Sequence, residues 1–317
     1  MILPSFLVII GFACLIFGAN WLVDGASALA KKYKVSDLAI GLTIVAFGTS
    51  APEMVVNLIG SAKGYSDIVF GNIIGSNNFN LFIILGLSGL IYPISVQSST
   101  AWKEIPISLF VACILLFFVN DFIFAGVGTL SRIDGLILLA LFFLFLYYVF
   151  LQMKNDSTLK TEVVEKSNLK IWGLVIIGLA GLIVGGQLVV TNSVNIASEL
   201  GVSEKIIGLT IVAAGTSLPE LLTSVVAALK KNSDIAIGNV IGSNVFNVLL
   251  ILSLSGIIRP IDYNPNFNTD LFILIGGTVF LFAAMLTGKR KKLDRWEAGL
   301  LFAFYLIYTV VLVLKEL

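Results

Sequence analysis

The chain has 317 residues, 58% of them apolar and 12% charged, with a mean hydropathy of +1.01, which lies outside the range of ordinary soluble domains and marks an integral membrane protein. Twenty basic residues against nineteen acidic ones leave a net charge of +1, which argues against a nucleic-acid partner or an acidic tail. The absence of histidine removes imidazole metal sites, serine or cysteine hydrolases with a His base and zinc-type intramembrane proteases, and an enzyme is not expected. The two cysteines, Cys14 and Cys113, sit in apolar runs and read as small buried residues.

Apolar runs of about 20 residues, long enough to cross a hydrocarbon core, recur along the chain. In order they cover 5–28, 36–62, 66–92, 103–125, 131–152, 171–195, 203–229, 233–258, 268–287 and 294–314. The first contains Ala26-Ser27-Ala28, which resembles a leader cleavage site, but no Lys or Arg precedes it, so it is read as a true span. With the N-terminus outside, the loops on one side carry Lys31, Lys32, Lys34, Lys103, Lys154, Lys160, Lys166, Lys170, Lys230, Lys231, Lys289, Arg290, Lys291, Lys292 and Arg295. The other side carries only Lys63, Arg132, Lys205, Arg259 and Lys315. The positive-inside rule makes the first side cytoplasmic and both termini extracellular, and Trp21, Trp102, Trp172 and Trp296 all fall near cytoplasmic span ends, as an aromatic belt requires. The localisation expected is a plasma membrane, crossed many times.

The most polar linker, 153–170, reads as a cytoplasmic tether between two units, 1–152 and 171–317. A shift of 167 residues aligns Val35–Ile94 with Val202–Ile261 without a gap, and 34 of the 60 positions are identical. Each unit then holds five spans. An odd number forces the second copy to enter the membrane from the opposite side, so the expected fold is all-α, with ten transmembrane helices as two inverted five-helix repeats. Such repeats are associated with secondary transporters whose ion sites lie at the midplane on interrupted helices.

Of the acidic residues, only Glu53 and Glu220 sit deep inside long apolar stretches, and they are repeat mates. An ionised carboxylate at the bilayer centre costs about 2.5–3.5 kcal/mol on insertion scales, so the pair should face one another or bound cations. No buried Lys or Arg is at hand to neutralise them, which leaves a site of two negative charges suited to a hard divalent cation or several monovalent ones. Each lies in a Gly-Thr-Ser-X-Pro-Glu segment, 48–53 and 215–220. Proline removes a backbone donor and glycine loosens the turn, so carbonyls from Ala46 to Thr49 and from Ala213 to Thr216 are expected to be freed from helical bonding. Ser50 with Glu53, and Ser217 with Glu220, share a helical face. The following spans repeat the device: Asn72, Ser76 and Asn80 form a polar stripe, mirrored by Asn239, Ser243 and Asn247, with glycines that permit close helix contact. All these ligands are oxygens, six to eight of which suit Ca2+, whereas transition metals prefer nitrogen or sulfur. Asp24 reads as interfacial, and Asp67 and Asp234 as caps of helix N-termini.

The motifs GTSAPE and GTSLPE, followed by GNIIGSNNFN and GNVIGSNVFN, resemble the paired alpha repeats of the calcium/cation antiporter superfamily, and most of all the prokaryotic sodium/calcium exchangers. The resemblance covers both repeats and the ten-span frame. It implies exchange of cytoplasmic Ca2+ for several external Na+ ions with net charge movement. It also implies that Glu53 and Glu220 bind Ca2+ and share Na+, helped by the carbonyls of Thr49 and Thr216. Ser50, Ser76, Ser217, Ser243 and the carbonyls of Ala46 and Ala213 would be Na+ ligands, and Asn80 and Asn247 would complete the central position. Both of these are amides, whereas many relatives carry Asp at one or both; in potassium-dependent exchangers that Asp accompanies K+ use, so the resemblance implies K+ independence here. Proton/calcium exchangers typically carry an acidic residue in the second motif, where Asn72 to Asn77 has none.

The residues thus point to a Ca2+/Na+ antiporter working by alternating access. A Ca2+/H+ exchanger is the alternative and a Ca2+ channel a remoter one, disfavoured because channel repeats are usually related by an axis along the membrane normal. Spans one and six, long and apolar in their middles, are expected to slide as a gate. No cofactor beyond the transported Ca2+ and Na+ and no partner beyond the bilayer are expected.

Overall fold

The computed structural model describes residues 2–97, 100–120, 128–156, 167–200, 213–287 and 291–316. A long helix α1 (Ile2–Tyr33) is followed by α2 (Asp37–Thr49) and α3 (Ala51–Lys63), which meet at a 50° bend. Next come α4 (Ser66–Ile91), strand β1 (Ile94–Ser95), α5 (Thr100–Val119), β2 (Thr129–Leu130) and α6 (Arg132–Asp156). The second half runs through α7 (Asn168–Glu199), a helical turn at Ala213–Gly215, α8 (Leu218–Leu229), α9 (Ser233–Ile258), β3 (Ile261–Asp262), α10 (Asn268–Ala284), β4 (Lys292–Leu293) and α11 (Arg295–Glu316).

Among the described residues seven helices are long and apolar enough to cross a membrane, or eight if α2 and α3 form one broken span. The expected span 203–229 falls partly on 201–212, outside the described residues; its described remainder is the turn at Ala213 and the short α8. The long helices overrun the expected ends: α1 continues to Tyr33, α6 to Asp156, and α7 begins at Asn168. Alongside the expected helices there are two small antiparallel ladders, β1 with β4 and β2 with β3, each joining one half of the chain to the other.

Layering follows from burial. In α9, 94% of the apolar window is buried, against 22% in α6, so α9 lies at the centre and α6 at the rim. The rim helices show large apolar side chains outward, among them Phe143, Phe150, Phe272 and Ile307, as a hydrocarbon solvent allows. All four tryptophans are exposed. Cys113 is exposed too and Cys14 only half-buried; both are free thiols, and a lipid-facing thiol incurs no desolvation cost that would drive it inward.

Helices α1 and α7 pack against each other through glycine. A Cβ on Gly18 would stand 2.8 Å from the Gly178 carbonyl oxygen, and one on Gly178 2.8 Å from that of Gly18, so the backbones touch. The same device sets α2 on α9, where a Cβ on Gly41 would stand 3.2 Å from the Gly238 Cα. The glycine of the stripe in α4, Gly75, differs, since a Cβ there would meet nothing within 4 Å.

Candidate functional site

The two Gly-Thr-Ser-X-Pro-Glu segments break their helices as proline dictates. At the break Ser50 has φ −80° and ψ 9°, and Ser217 has φ −87° and ψ 8°; in each case the proline occupies the first turn of the helix that follows, where its missing N–H costs no hydrogen bond. The glutamate is then the third residue of that helix, near its N-terminal dipole, and Glu53 and Glu220 are each 1% exposed.

The two halves hold each other's carboxylates. Ser50 Oγ donates to Glu220 Oε1 at 2.9 Å, and Ser217 Oγ donates to Glu53 Oε1 at 3.1 Å. Ser50 Oγ also stands 3.0 Å from Ser243 Oγ, and Ser217 Oγ 3.1 Å from Ser76 Oγ. Thr49 Oγ1 lies 3.0 Å from Asn239 Oδ1, and Thr216 Oγ1 3.4 Å from Asn72 Oδ1. Asn239 donates to the Glu220 carbonyl at 3.2 Å and Asn72 to that of Glu53 at 3.4 Å. Each of these contacts has its counterpart 167 residues away. Asn80 and Asn247 lie at the start of the π-helical stretches Phe79–Ile84 and Asn247–Leu252, wider turns of a kind frequent at functional sites.

What this network leaves over is chemically uniform. The second oxygens of both glutamates, Glu53 Oε2 and Glu220 Oε2, and the amide oxygens Asn80 Oδ1 and Asn247 Oδ1 are buried without a hydrogen-bond partner. A buried acceptor left unpaired costs about 1–3 kcal/mol, and four of them in one mirrored set offer a place for a cation or for water. Among the described residues no group of three or more His, Cys, Asp or Glu could hold a metal, so the cage consists of two carboxylates among neutral oxygens. That donor set fits a hard cation carried as substrate, Ca2+ or Na+.

The structure thus gathers Thr49, Ser50, Glu53, Asn72 and Ser76 with Thr216, Ser217, Glu220, Asn239 and Ser243, while Asn80 and Asn247 are carried by the same helices α4 and α9. Ala46 differs from expectation. Its carbonyl is not released but accepts from Ser50 N at 3.0 Å and from Thr49 Oγ1 at 3.3 Å, because the proline removes a donor four residues after Gly48, not after Ala46. Ala213 opens the helical turn Ala213–Gly215, which leads into the second motif.

Other residues were not evident from the sequence. Asn57 Oδ1 accepts from Asn72 Nδ2 at 2.6 Å and Ser224 Oγ from Asn239 Nδ2 at 3.0 Å, orienting the stripe amides from behind. Asn77 and Asn244 bridge the repeats, and their recurrence at the 167-residue offset is the one signal the sequence offered. Glu104 and Glu297, near the starts of their helices, are also buried. Tyr148 donates to Glu104, and Glu297 accepts from Asp294 N and Thr287. Asp24 is exposed and pairs with Lys230 at 2.8 Å. Asp67 and Asp234 lie in first turns, but the cap positions themselves fall to Tyr65 and Asn232: Asn232 accepts from Ile235 N, and Asp234 accepts from Gln97.

Comparison with known proteins places the chain among ion exchangers. It is 35% identical to the putative antiporter CaxA of Alkalimonas amylolytica, over 98% of this chain and 99% of that one. It is 32% identical to the sodium/calcium exchanger MaX1 of Methanosarcina acetivorans, again over 98% and 99%. The solved structure of the sodium-calcium exchanger NCX_Mj, soaked with Na+ and Ca2+, superposes with a TM-score of 0.83 at 32% identity, covering 97% of both chains. These relatives are ion exchangers and transporters, not enzymes. The family model described as sodium/calcium exchanger protein matches residues 4–151 and 170–314, and the chain belongs to that family.

Proposed function

We propose that this protein is a secondary active antiporter that exchanges Ca2+ for Na+ by alternating access, with the ions bound at the bilayer midplane between Glu53 and Glu220. The observation that carries this reading is the mirrored set of unpartnered buried oxygens, one carboxylate and one amide oxygen from each half of the chain. Two carboxylates neutralise one Ca2+ or a comparable charge of Na+, but not a full load of both, so occupancy by one ion displaces the other and couples their gradients. Thr49, Thr216, Ser50, Ser217, Ser76 and Ser243 supply further oxygens, and Asn72 and Asn239 line the same stripe.

In this proposal ten spans form two inverted repeats, 1–152 and 171–317, joined by a cytoplasmic linker over 153–170, with both termini outside a plasma membrane. The bend between α2 and α3 and the break at Ser217 support it, being the discontinuous helices that transporters of this architecture place around their ions. α1 and α7, each 32 residues long and packed on glycine, are the sliding gate.

The test is Ca2+ uptake into vesicles containing the purified protein and loaded with Na+, K+ or neither, with and without a pH gradient. Uptake that requires trapped Na+ is expected. Uptake driven by the pH gradient alone would turn the reading to Ca2+/H+ exchange, and uptake with no trapped counter-ion would turn it to a channel.

A further inference from the structure

An asparagine amide presents one oxygen and one NH2 of nearly the same size, so turning it over replaces an acceptor by two donors at little steric cost. A cation requires the oxygen. For the two central amides something must therefore hold the NH2 away from the ions, and the residues that do so lie in the opposite repeat. Asn80 Nδ2 donates to Asn244 Oδ1 at 3.0 Å, and Asn247 Nδ2 donates to Asn77 Oδ1 at 2.9 Å. Asn77 and Asn244 are themselves fixed, each donating its own amide to the other's backbone carbonyl at 3.3 Å. All four asparagines are buried. In this chain of four amides, running Asn80, Asn244, Asn77, Asn247, the acceptors left over are Asn80 Oδ1 and Asn247 Oδ1.

We propose that Asn77 and Asn244 are cross-repeat positioning residues: each anchors the NH2 of the other repeat's central amide, so that the amide oxygen faces the transported cation. The inference rests on the ion cage proposed above and adds two residues that need touch no ion themselves. It also accounts for a chemical demand made by the two central amides. A carboxylate offers oxygen whichever way it turns, so an Asp at the central position would need no such anchor, whereas two amides need one each.

The deciding experiment compares Asn77→Ala in two backgrounds, the natural Asn247 and Asn247→Asp, with Ca2+ and Na+ half-saturation constants and maximal rates measured in the vesicle exchange assay. In the natural background, losing the anchor is expected to raise the Ca2+ half-saturation constant about 10- to 100-fold, the usual effect of removing a residue that orients a metal ligand. In the Asn247→Asp background the same substitution is expected to change it by no more than about twofold, the ordinary scatter of independent sites. A purely structural role for Asn77 weakens both backgrounds alike, and equal shifts, or no shift in the natural background, would overturn the proposal. Should Asn77→Ala fail to give monodisperse protein, the mirror pair, Asn244→Ala with and without Asn80→Asp, carries the same test. Glu53→Gln measured alongside separates the two levels: if it remains active the cage itself is refuted, whereas if it is dead and the two shifts are equal only the positioning role is lost.

Discussion

Replacing Glu53 by Gln changes almost no volume and removes one of the cage's two negative charges. The glutamine oxygen can keep the bond from Ser217 Oγ, which stands 3.1 Å from Glu53 Oε1, while its NH2 takes the place of the unpartnered Oε2. The fold should survive, because no helix contact is lost and the repulsion between two buried carboxylates is relieved. Ion binding should not survive. One carboxylate attracts a unit charge about 4 Å away by about 4 kcal/mol at an effective dielectric constant near 20, and a doubly charged ion by more. At about 1.4 kcal/mol per tenfold, Ca2+ affinity falls by about a thousandfold or more. Two measurements follow on one preparation. Ion-free Glu53→Gln should melt no lower than the natural protein, and its exchange should be undetectable at Ca2+ concentrations that saturate the natural protein. The natural protein should also gain about 2.7 kcal/mol of stability at Ca2+ a hundredfold above its dissociation constant, a gain that the variant lacks at the same concentration. A folded Glu53→Gln protein that still exchanges Ca2+ at the natural rate and half-saturation, or is still stabilised by it, refutes the assignment.

Ser50→Ala and Ser217→Ala each remove a hydroxyl that holds the opposite repeat's glutamate, and each should weaken Na+ and Ca2+ binding about 10- to 100-fold, since hydrogen bonds to charged groups are worth about 1.5–3 kcal/mol; binding measured by calorimetry should move in both variants to a similar degree. Acid should inhibit exchange, because a proton on either carboxylate removes a negative charge that the cation needs: lowering the pH should raise the Ca2+ half-saturation constant, and exchange unaffected down to about pH 5 would contradict a carboxylate cage. Gly18→Val places side-chain carbon against the Gly178 carbonyl oxygen, 2.8 Å from the Cβ position, and should slow exchange while leaving equilibrium Ca2+ binding near its natural value, since the contact lies between α1 and α7 and not in the cage.

The burial of Glu53 and Glu220 and their meeting with the opposite repeat were legible in the sequence because a carboxylate inside a long apolar run is costly without a partner, and the 167-residue repeat doubled the signal. The break before each glutamate was legible for a local reason: proline and glycine act on the backbone wherever they stand. The helix ends were not, since α1 and α6 run past their apolar cores into polar residues such as Lys31 and Lys154, where hydropathy fades but helical hydrogen bonding continues. Nor was the engagement of the Ala46 carbonyl, which depends on how far a proline's missing donor reaches along the preceding helix. The anchors Asn77 and Asn244 were hidden for a tertiary reason. Neither falls on the four-residue stripe of Asn72, Ser76 and Asn80 or its mate, and their partners are supplied only when α4 meets α9.

The cross-repeat bonding also bears on which parts of the protein can move. Ser50 with Glu220, Ser217 with Glu53, Thr49 with Asn239 and the chain of four asparagines join the two halves. Rocking one repeat against the other would break all of these together, at about 1 kcal/mol for each neutral bond and more for those to carboxylates, in surroundings without water to replace them. The contact of α1 with α7 is of another kind: glycine backbone against glycine backbone, with Gly18 and Gly178 meeting across it. Close packing of that sort fastens the two helices to each other. In the alternating-access reading proposed above, the least costly motion therefore leaves the cage intact and moves α1 and α7 as a pair over it, at the expense of the contacts of α1 with Lys230 and Asn232. On that proposal ions choose between states through the charge they bring to Glu53 and Glu220, since an empty, doubly negative cage is costly to shut away from water and a neutralised one is not.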